Sequence, residues 1–159
     1  MKFKSFVLSL ILLSSSMVAL AQVHFSENPN TVLNMDIVAK SEAAVLNIQT
    51  FSRTNQIIPD AYVVITFMND SVIKLTGRVI NDNKMIDSDA GHGFVNRFNS
   101  NTKLLISPSQ AEFFKEGIKS LMIRMTPNAF YHEWKEDEIG KPLYARYKIS
   151  KENVMFKKK

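Results

Sequence analysis

The sequence predicts a mainly β fold, a β-sandwich or a partly open barrel, with one short α-helix near residues 108–116. Three observations carry this expectation. Short apolar runs alternating with polar residues recur along the chain, the period of two that marks half-buried strands. Clusters of Asn, Asp and Ser separate several of these runs and suit tight turns. Only one stretch, Ser107-Pro108-Ser109-Gln110, has the composition of a helix start.

The elements follow in order. Lys2 and Lys4 precede an uncharged apolar stretch from Phe6 to Leu13, then Ser14 to Ser16, and Ala19-Leu20-Ala21 puts small residues where a signal peptidase cuts. Residues 1–21 therefore read as a signal peptide. The apolar run is shorter than the roughly 20 residues needed to span a bilayer, so a transmembrane anchor is not expected. The expected mature chain, residues 22–159, is a single β-rich domain starting at Gln22. The chain has no Cys, which excludes a lipid-anchored lipoprotein and any disulfide. A domain of this size must hold together by packing alone. An exported protein, periplasmic, cell-surface or secreted, is the resulting expectation.

Leu33, Met35 and Ile37 alternate with Asn34, Asp36 and Val38 as a first strand. Val45 to Phe51 repeats the pattern, with Leu46, Ile48 and Thr50 on one side. Ala61 to Met68 is nearly continuous in apolar and β-branched residues and reads as a central strand. Asn69-Asp70-Ser71 breaks it before Val72 to Thr76 resumes, so the pair predicts a hairpin. Residues 81–90 are polar and patternless and read as a loop. Phe94 to Phe98 and Lys103 to Ile106 are two further strand candidates.

At Ser107 the signals change to helical ones. Ser is a good N-cap, Pro108 suits the first helical position, and Gln110 completes a capping box. Gly117 fits a left-handed stop. Leu121 to Met125 alternates again. Ala129 to Lys135 and Leu143 to Ile149 can form a last hairpin across an acidic turn, although Leu143, Tyr147 and Ser150 also lie near helical spacing, leaving 143–150 open between strand and helix.

The run from Tyr62 to Met125 resembles small uncharacterised exported proteins common in Bacteroidetes. The likeness lies in the Met68-Asn69-Asp70-Ser71 hairpin, the Ile106-Ser107-Pro108-Ser109-Gln110 junction and the Gly117-to-Arg124 passage. Those proteins often carry Gly where this chain has Ser71. The resemblance spans less than half of the expected mature chain and implies a periplasmic or surface β protein, with no active site attached. Asp70-Ser71-Val72 is also similar to the short motif that some Bacteroidetes use for O-glycosylation, which makes Ser71 a modification candidate.

Composition narrows the function classes. The formal charge of +5 includes Lys2 and Lys4, and falls to +3 when the leader is removed. No basic patch interleaved with aromatics is present in the sequence, so nucleic acid is not an expected partner. Nucleophilic catalysis lacks a Cys and a Ser elbow, and phosphate-cradling Gly loops are missing. Asp87, Asp89 and His92 bring two carboxylates and an imidazole into one Gly-flanked stretch, a candidate for a metal or a base, although Asp, Ser and Gly are also ordinary turn residues and no bound metal is expected. The spacing of a calcium loop is not there. His132-Glu133 begins like a zinc-protease helix, but Glu136 stands where the second His belongs. His24 reads as solvated. Glu133, Glu136, Asp137 and Glu138 could pair as glycosidase carboxylates but read first as an acidic turn.

The expected function is thus a non-catalytic binding or accessory domain whose partner is an extracytoplasmic protein or a glycan, with no cofactor. Two alternatives stand beside it: a metal-dependent hydrolase built on residues 87–93, and a carrier holding an apolar ligand in a β-barrel, for which six Met and nine Phe would remain after cleavage.

Overall fold

The computed structural model describes residues 23–28, 31–59, 62–89 and 94–156. The expected signal peptide 1–21, Gln22 and His92 lie outside them. Over the described residues the fold is mainly β, with three sheets, two helices and no closed barrel.

The larger sheet joins β1 (Val23–Asn28), β2 (Thr31–Ala39), β3 (Ala44–Ser52), β8 (Phe94–Ile106) and β7 (Arg78–Asp89), in that spatial order and all antiparallel. A second sheet runs β11 (Phe130–Glu133), β9 (Ile118–Ile123), β5 (Tyr62–Phe67), β6 (Val72–Thr76). A short ladder pairs β4 (Gln56–Ile57) with β10 (Met125–Thr126). The period-two runs behave as expected. Burial alternates residue by residue along β2 and β3. Leu33, Met35 and Ile37 from β2, Leu46 and Ile48 from β3, and Leu104 and Ile106 from β8 are buried. They join Val63, Ile65, Phe67, Leu121 and Ile123 of the second sheet in one core cluster.

The inner face of the larger sheet is not apolar throughout. At one end it becomes Thr31, Thr50, Ser52, Ser100 and Thr102, all buried. Some of these hydroxyls serve backbone groups that leave the ladder. Ser52 Oγ accepts from Asn55 N–H at 3.1 Å, and Ser100 Oγ accepts from Ile57 N–H at 3.1 Å, which ties β4 to the larger sheet.

The hairpin β5–β6 forms across Asn69 to Ser71, with Asp70 at φ 63°, a conformation that Asp tolerates. Ser107 caps α1 (Pro108–Glu112), which tightens into a 3-10 turn over Phe113–Glu116. The capping box is reciprocal: Ser107 Oγ accepts from Gln110 N–H at 3.1 Å, and Gln110 Oε1 accepts from Ser107 N–H at 2.8 Å. Gly117 has φ 83° and ψ 155°. That is positive φ but not a left-handed helical stop; it is a region open essentially to Gly alone.

Three further expectations need correction. Residues 81–89 are not a loop but part of β7. The β7–β8 register slips between Ile80 and Lys84, so extra residues interrupt the alternation there and erase the pattern a strand would show. Residues 94–98 and 103–106 belong to one continuous strand, β8. No hairpin joins 129–135 to 143–149. β11 pairs with β9, and the last run is α2 (Gly140–Phe156), the helical one of the two readings for 143–150.

The second helix has an identifiable cause. Among the described residues β1 pairs with β2 only as far as Met35. Beyond it α2 covers the edge of β2: Ser150 Oγ accepts from Ala39 N–H at 2.8 Å, and Arg146 Nε meets Asp36 Oδ1 at 2.6 Å. Leu143 and Tyr147 are the large side chains it buries. No helix among the described residues is long and apolar enough to cross a membrane.

Candidate binding face

The residues that the sequence offers for chemistry fall into separate places. Asp87 and Asp89 lie on β7, opposite Asn96 and Phe94 of β8, and His92 is outside the described residues. His24 sits on β1 opposite Asn34. His132 lies on β11 opposite Leu121, with its ring edge-on to Trp134 at 4.3 Å between centroids.

The acidic cluster divides. Asp137 is an architectural acceptor: Oδ1 takes the N–H groups of Ile118 and Gly140, each at 2.7 Å, and Oδ2 takes that of Lys141 at 2.8 Å. One carboxylate thus ties the start of β9 to the first turn of α2, where backbone N–H groups favour an anion. Its surroundings are packed without slack. A Cβ on Gly117 would lie 2.7 Å from the Asp137 side chain, and one on Gly140 would lie 2.5 Å from Ile118 N. Glu136 is exposed, and Glu133 accepts from the Tyr131 hydroxyl at 3.1 Å.

Ser71 sits at the tip of the β5–β6 hairpin. Its hydroxyl donates to Asn69 Oδ1 at 2.6 Å, and its neighbours Asp70 and Val72 are exposed.

The feature that sequence reasoning did not single out is the outer face of the four-stranded sheet. Register aligns Tyr131, Met122, Val64 and Lys74 across β11, β9, β5 and β6, and next to them Glu133, Ser120, Thr66 and Val72. Arg124 N–H donates to Tyr62 O at 3.0 Å, extending the face by one more row. Tyr131 is 57% exposed and Val72 58%. Met122, Val64 and Tyr62 are half-buried. Lys74 Nζ lies 4.3 Å from the centre of the Tyr62 ring, and the Arg124 guanidinium 5.7 Å from it, both within cation–π range.

The larger sheet has a different outer face. There Asn34, Gln49 and Asn101 line up, with Asp36, Asn47 and Lys103 beside them, and Gln49 Nε2 donates to Asn99 Oδ1 at 3.1 Å. The middle of that face is the polar exterior expected of an antiparallel sheet with one wet side; toward its ends the outward residues Val32, Phe51, Val38 and Val45 are half-buried and Leu105 is exposed. The second sheet is instead apolar at the centre of its outer face, at Val64 and Met122, and the sequence did carry the signal. The unbroken apolar run through Val63, Val64 and Ile65 is that of a strand covered on both faces. In the fold β5 is flanked by β9 and β6, and its residues alternate between buried and half-buried.

Two titratable groups at this face are held in the protonation states that they have in water. A hydrogen bond to Glu133, with burial, raises the Tyr131 phenol, and a hydrogen bond to Asp70 raises Lys119. Tyr131 thus stays neutral and Lys119 charged. A general base working near neutral pH needs the opposite displacement. Among the described residues no group of three or more His, Asp or Glu could hold a metal ion. No protein-family model matches the chain, and neither a curated protein nor a solved structure matches it.

Proposed function

We propose that this protein is an exported, non-catalytic binding domain that engages an extracytoplasmic protein through the outer face of the four-stranded sheet. The observation that carries the reading is the outward set Tyr62, Val64, Met122 and Tyr131, flanked by Arg124 and Lys74, on a sheet whose strands carry apolar side chains on both sides. Tyr, Met and Arg are the residue types that protein interfaces concentrate. An open sheet face favours a partner that covers it over a small molecule, which wants a concave pocket. Export rests on the basic, apolar and small-residue order of the first 21 residues. A glycan is the other partner class, but the centre of the face, Val64 and Met122, is apolar and offers nothing to its hydroxyls. The carrier reading asks for a barrel, and among the described residues the sheets do not close into one.

The test is site-specific photo-crosslinking in the cell envelope. A photoreactive side chain at position 131 should give a discrete protein adduct, while the same group at position 103, on the outer face of the larger sheet, should give none. Identical adducts from both positions, or none from position 131, would overturn the assignment.

A further inference from the structure

β6 is an edge of the four-stranded sheet, with β5 on one side only. The turn before it fixes which backbone groups face outward. Phe67 N–H donates to Ser71 O, and Asp70 N–H to Phe67 O, each at 2.9 Å. Ser71 O therefore points at β5, and by the two-residue period of a strand so do the N–H and C=O groups of Ile73 and Leu75. Those of Val72, Lys74 and Thr76 point the other way. They make a row of donors and acceptors along the open edge, with residues spaced roughly 7 Å apart. Among the described residues none of these groups has a backbone partner. The side chains of the same three residues are exposed. The opposite edge, β11, is shorter. Trp134 N–H donates to Lys119 O at 2.8 Å, so only Tyr131 and Glu133 turn their backbone groups outward there.

The chain does not close the β6 edge. After Thr76, Gly77 passes so tightly against Leu104 and Lys103 of β8 that a Cβ has no room, and the chain leaves for the larger sheet, where β7 pairs with β8. The devices that blunt edge strands are sparse here. β6 holds no proline, and its register with β5 is unbroken from Val72 to Thr76. Its one charged side chain, Lys74, is drawn over the Tyr62 ring and so lies inward of the edge.

We propose that β6 accepts an extended segment of the partner protein as a fifth strand, with an acidic side chain of that segment beside Lys74. The proposal rests on the reading of this sheet as the binding face and states how the partner docks. Regularly spaced backbone donors and acceptors match another extended backbone, and the outward side chains then set which sequence fits. Here those side chains are cationic. Lys74 and Arg124 both lie at the Tyr62 ring, and among the described residues no carboxylate pairs with either. Opposite charges on adjacent strands attract, which favours an acidic residue across from Lys74. The same rule disfavours a second copy: two β6 strands pairing antiparallel through Val72, Lys74 and Thr76 would set their Lys74 side chains against each other.

Photo-crosslinking in the cell envelope tests the proposal. A photoreactive side chain at position 76 should give the same discrete adduct as one at position 131. Lys74→Pro should lower the yield of the position-131 adduct at least about tenfold, because proline has no N–H to offer an added strand and its ring stands in the edge. Lys74→Ala keeps that N–H and should lower the yield at most about fivefold, the worth of one exposed charge pair. Proline at position 74 takes no hydrogen bond from the ladder with β5, so the unfolding midpoint should be unchanged. If it falls, Thr76→Pro replaces it, since the Thr76 N–H also faces outward. An undiminished position-131 adduct in the folded proline variant overturns strand addition and leaves the sheet face assignment standing. So does an equal loss for Lys74→Pro and Lys74→Ala, which would make the contact one of charge alone. No adduct at position 76, or one between two copies of this chain, overturns the proposal as well. The absence of any adduct at position 131 in the parent overturns the face assignment and strand addition with it.

Discussion

Two regions of the molecule present concentrated polar and aromatic side chains, and they are used in opposite ways. Around Asp137 the bonding is internal. Its carboxylate takes three backbone N–H groups from two elements, and Gly117 and Gly140 give it room. On the outer face of the four-stranded sheet Tyr131, Met122, Val64 and Val72 keep part or most of their surface in solvent. The acidic cluster reads first as a turn in the sequence, with a carboxylate pair as the alternative, and in the fold Asp137 is architecture. The sheet face looks like core in the sequence and is surface in the fold. A polar cluster is therefore informative about function when its bonding capacity is left over. An apolar strand is informative when one of its faces stays in water.

The comparison breaks most readily at Asp137. Asp137→Ala should lower the unfolding free energy by about 3 kcal/mol, because charge-assisted hydrogen bonds are worth roughly 1.5–3 kcal/mol each, and of the three donors two are part-buried, share one oxygen, and lose it together, while water can reach the third. Asp137→Asn keeps one acceptor oxygen and should recover about half of the loss. Denaturant unfolding at constant pH measures both. A loss below about 1 kcal/mol for Asp137→Ala, less than a single such bond, would mean that the carboxylate is not structural and would make it a chemical candidate again.

A smaller effect is expected where the cap is local. Ser107 serves only its own helix, in an exposed position, so Ser107→Ala should cost about 1 kcal/mol. Ser109 is not idle, as its hydroxyl lies 2.8 Å from that of Ser107. Ser109→Ala should still cost no more than about 0.5 kcal/mol, since the backbone N–H keeps its acceptor. Thermal unfolding of the two variants side by side reads the difference, and equal losses would move the start of α1.

The contrast between the two caps also explains what can be read from the sequence. Ser107 and Gln110 are three residues apart, and their pairing is complete within one turn, so a short window contains it. The same holds for the Asn69–Ser71 hairpin and for the alternation of β2 and β3. Asp137 caps α2 but also holds Ile118, 19 residues away, and nothing local announces that second bond. Nor does the 140–156 run show by itself that it covers the edge of β2 at Ala39. β7 is hidden for another reason: the slip between Ile80 and Lys84 destroys the period on which a strand reading rests. The binding face is half legible. The continuous apolar run of β5 is visible, but whether its second face is covered depends on register with β9 and β11, which only the fold supplies.

The most direct test of the account sits at its smallest effect on stability. Tyr131 is 57% exposed, so Tyr131→Ala should change the unfolding free energy by less than about 0.5 kcal/mol. Its affinity for the protein captured through position 131 should nevertheless fall at least about tenfold, the loss typical of an aromatic anchor at the centre of an interface. Asn47→Ala, on the outer face of the larger sheet, should leave that affinity unchanged. If Tyr131→Ala binds as tightly as the parent, or if Asn47→Ala is the variant that loses affinity, the four-stranded sheet is not the binding face.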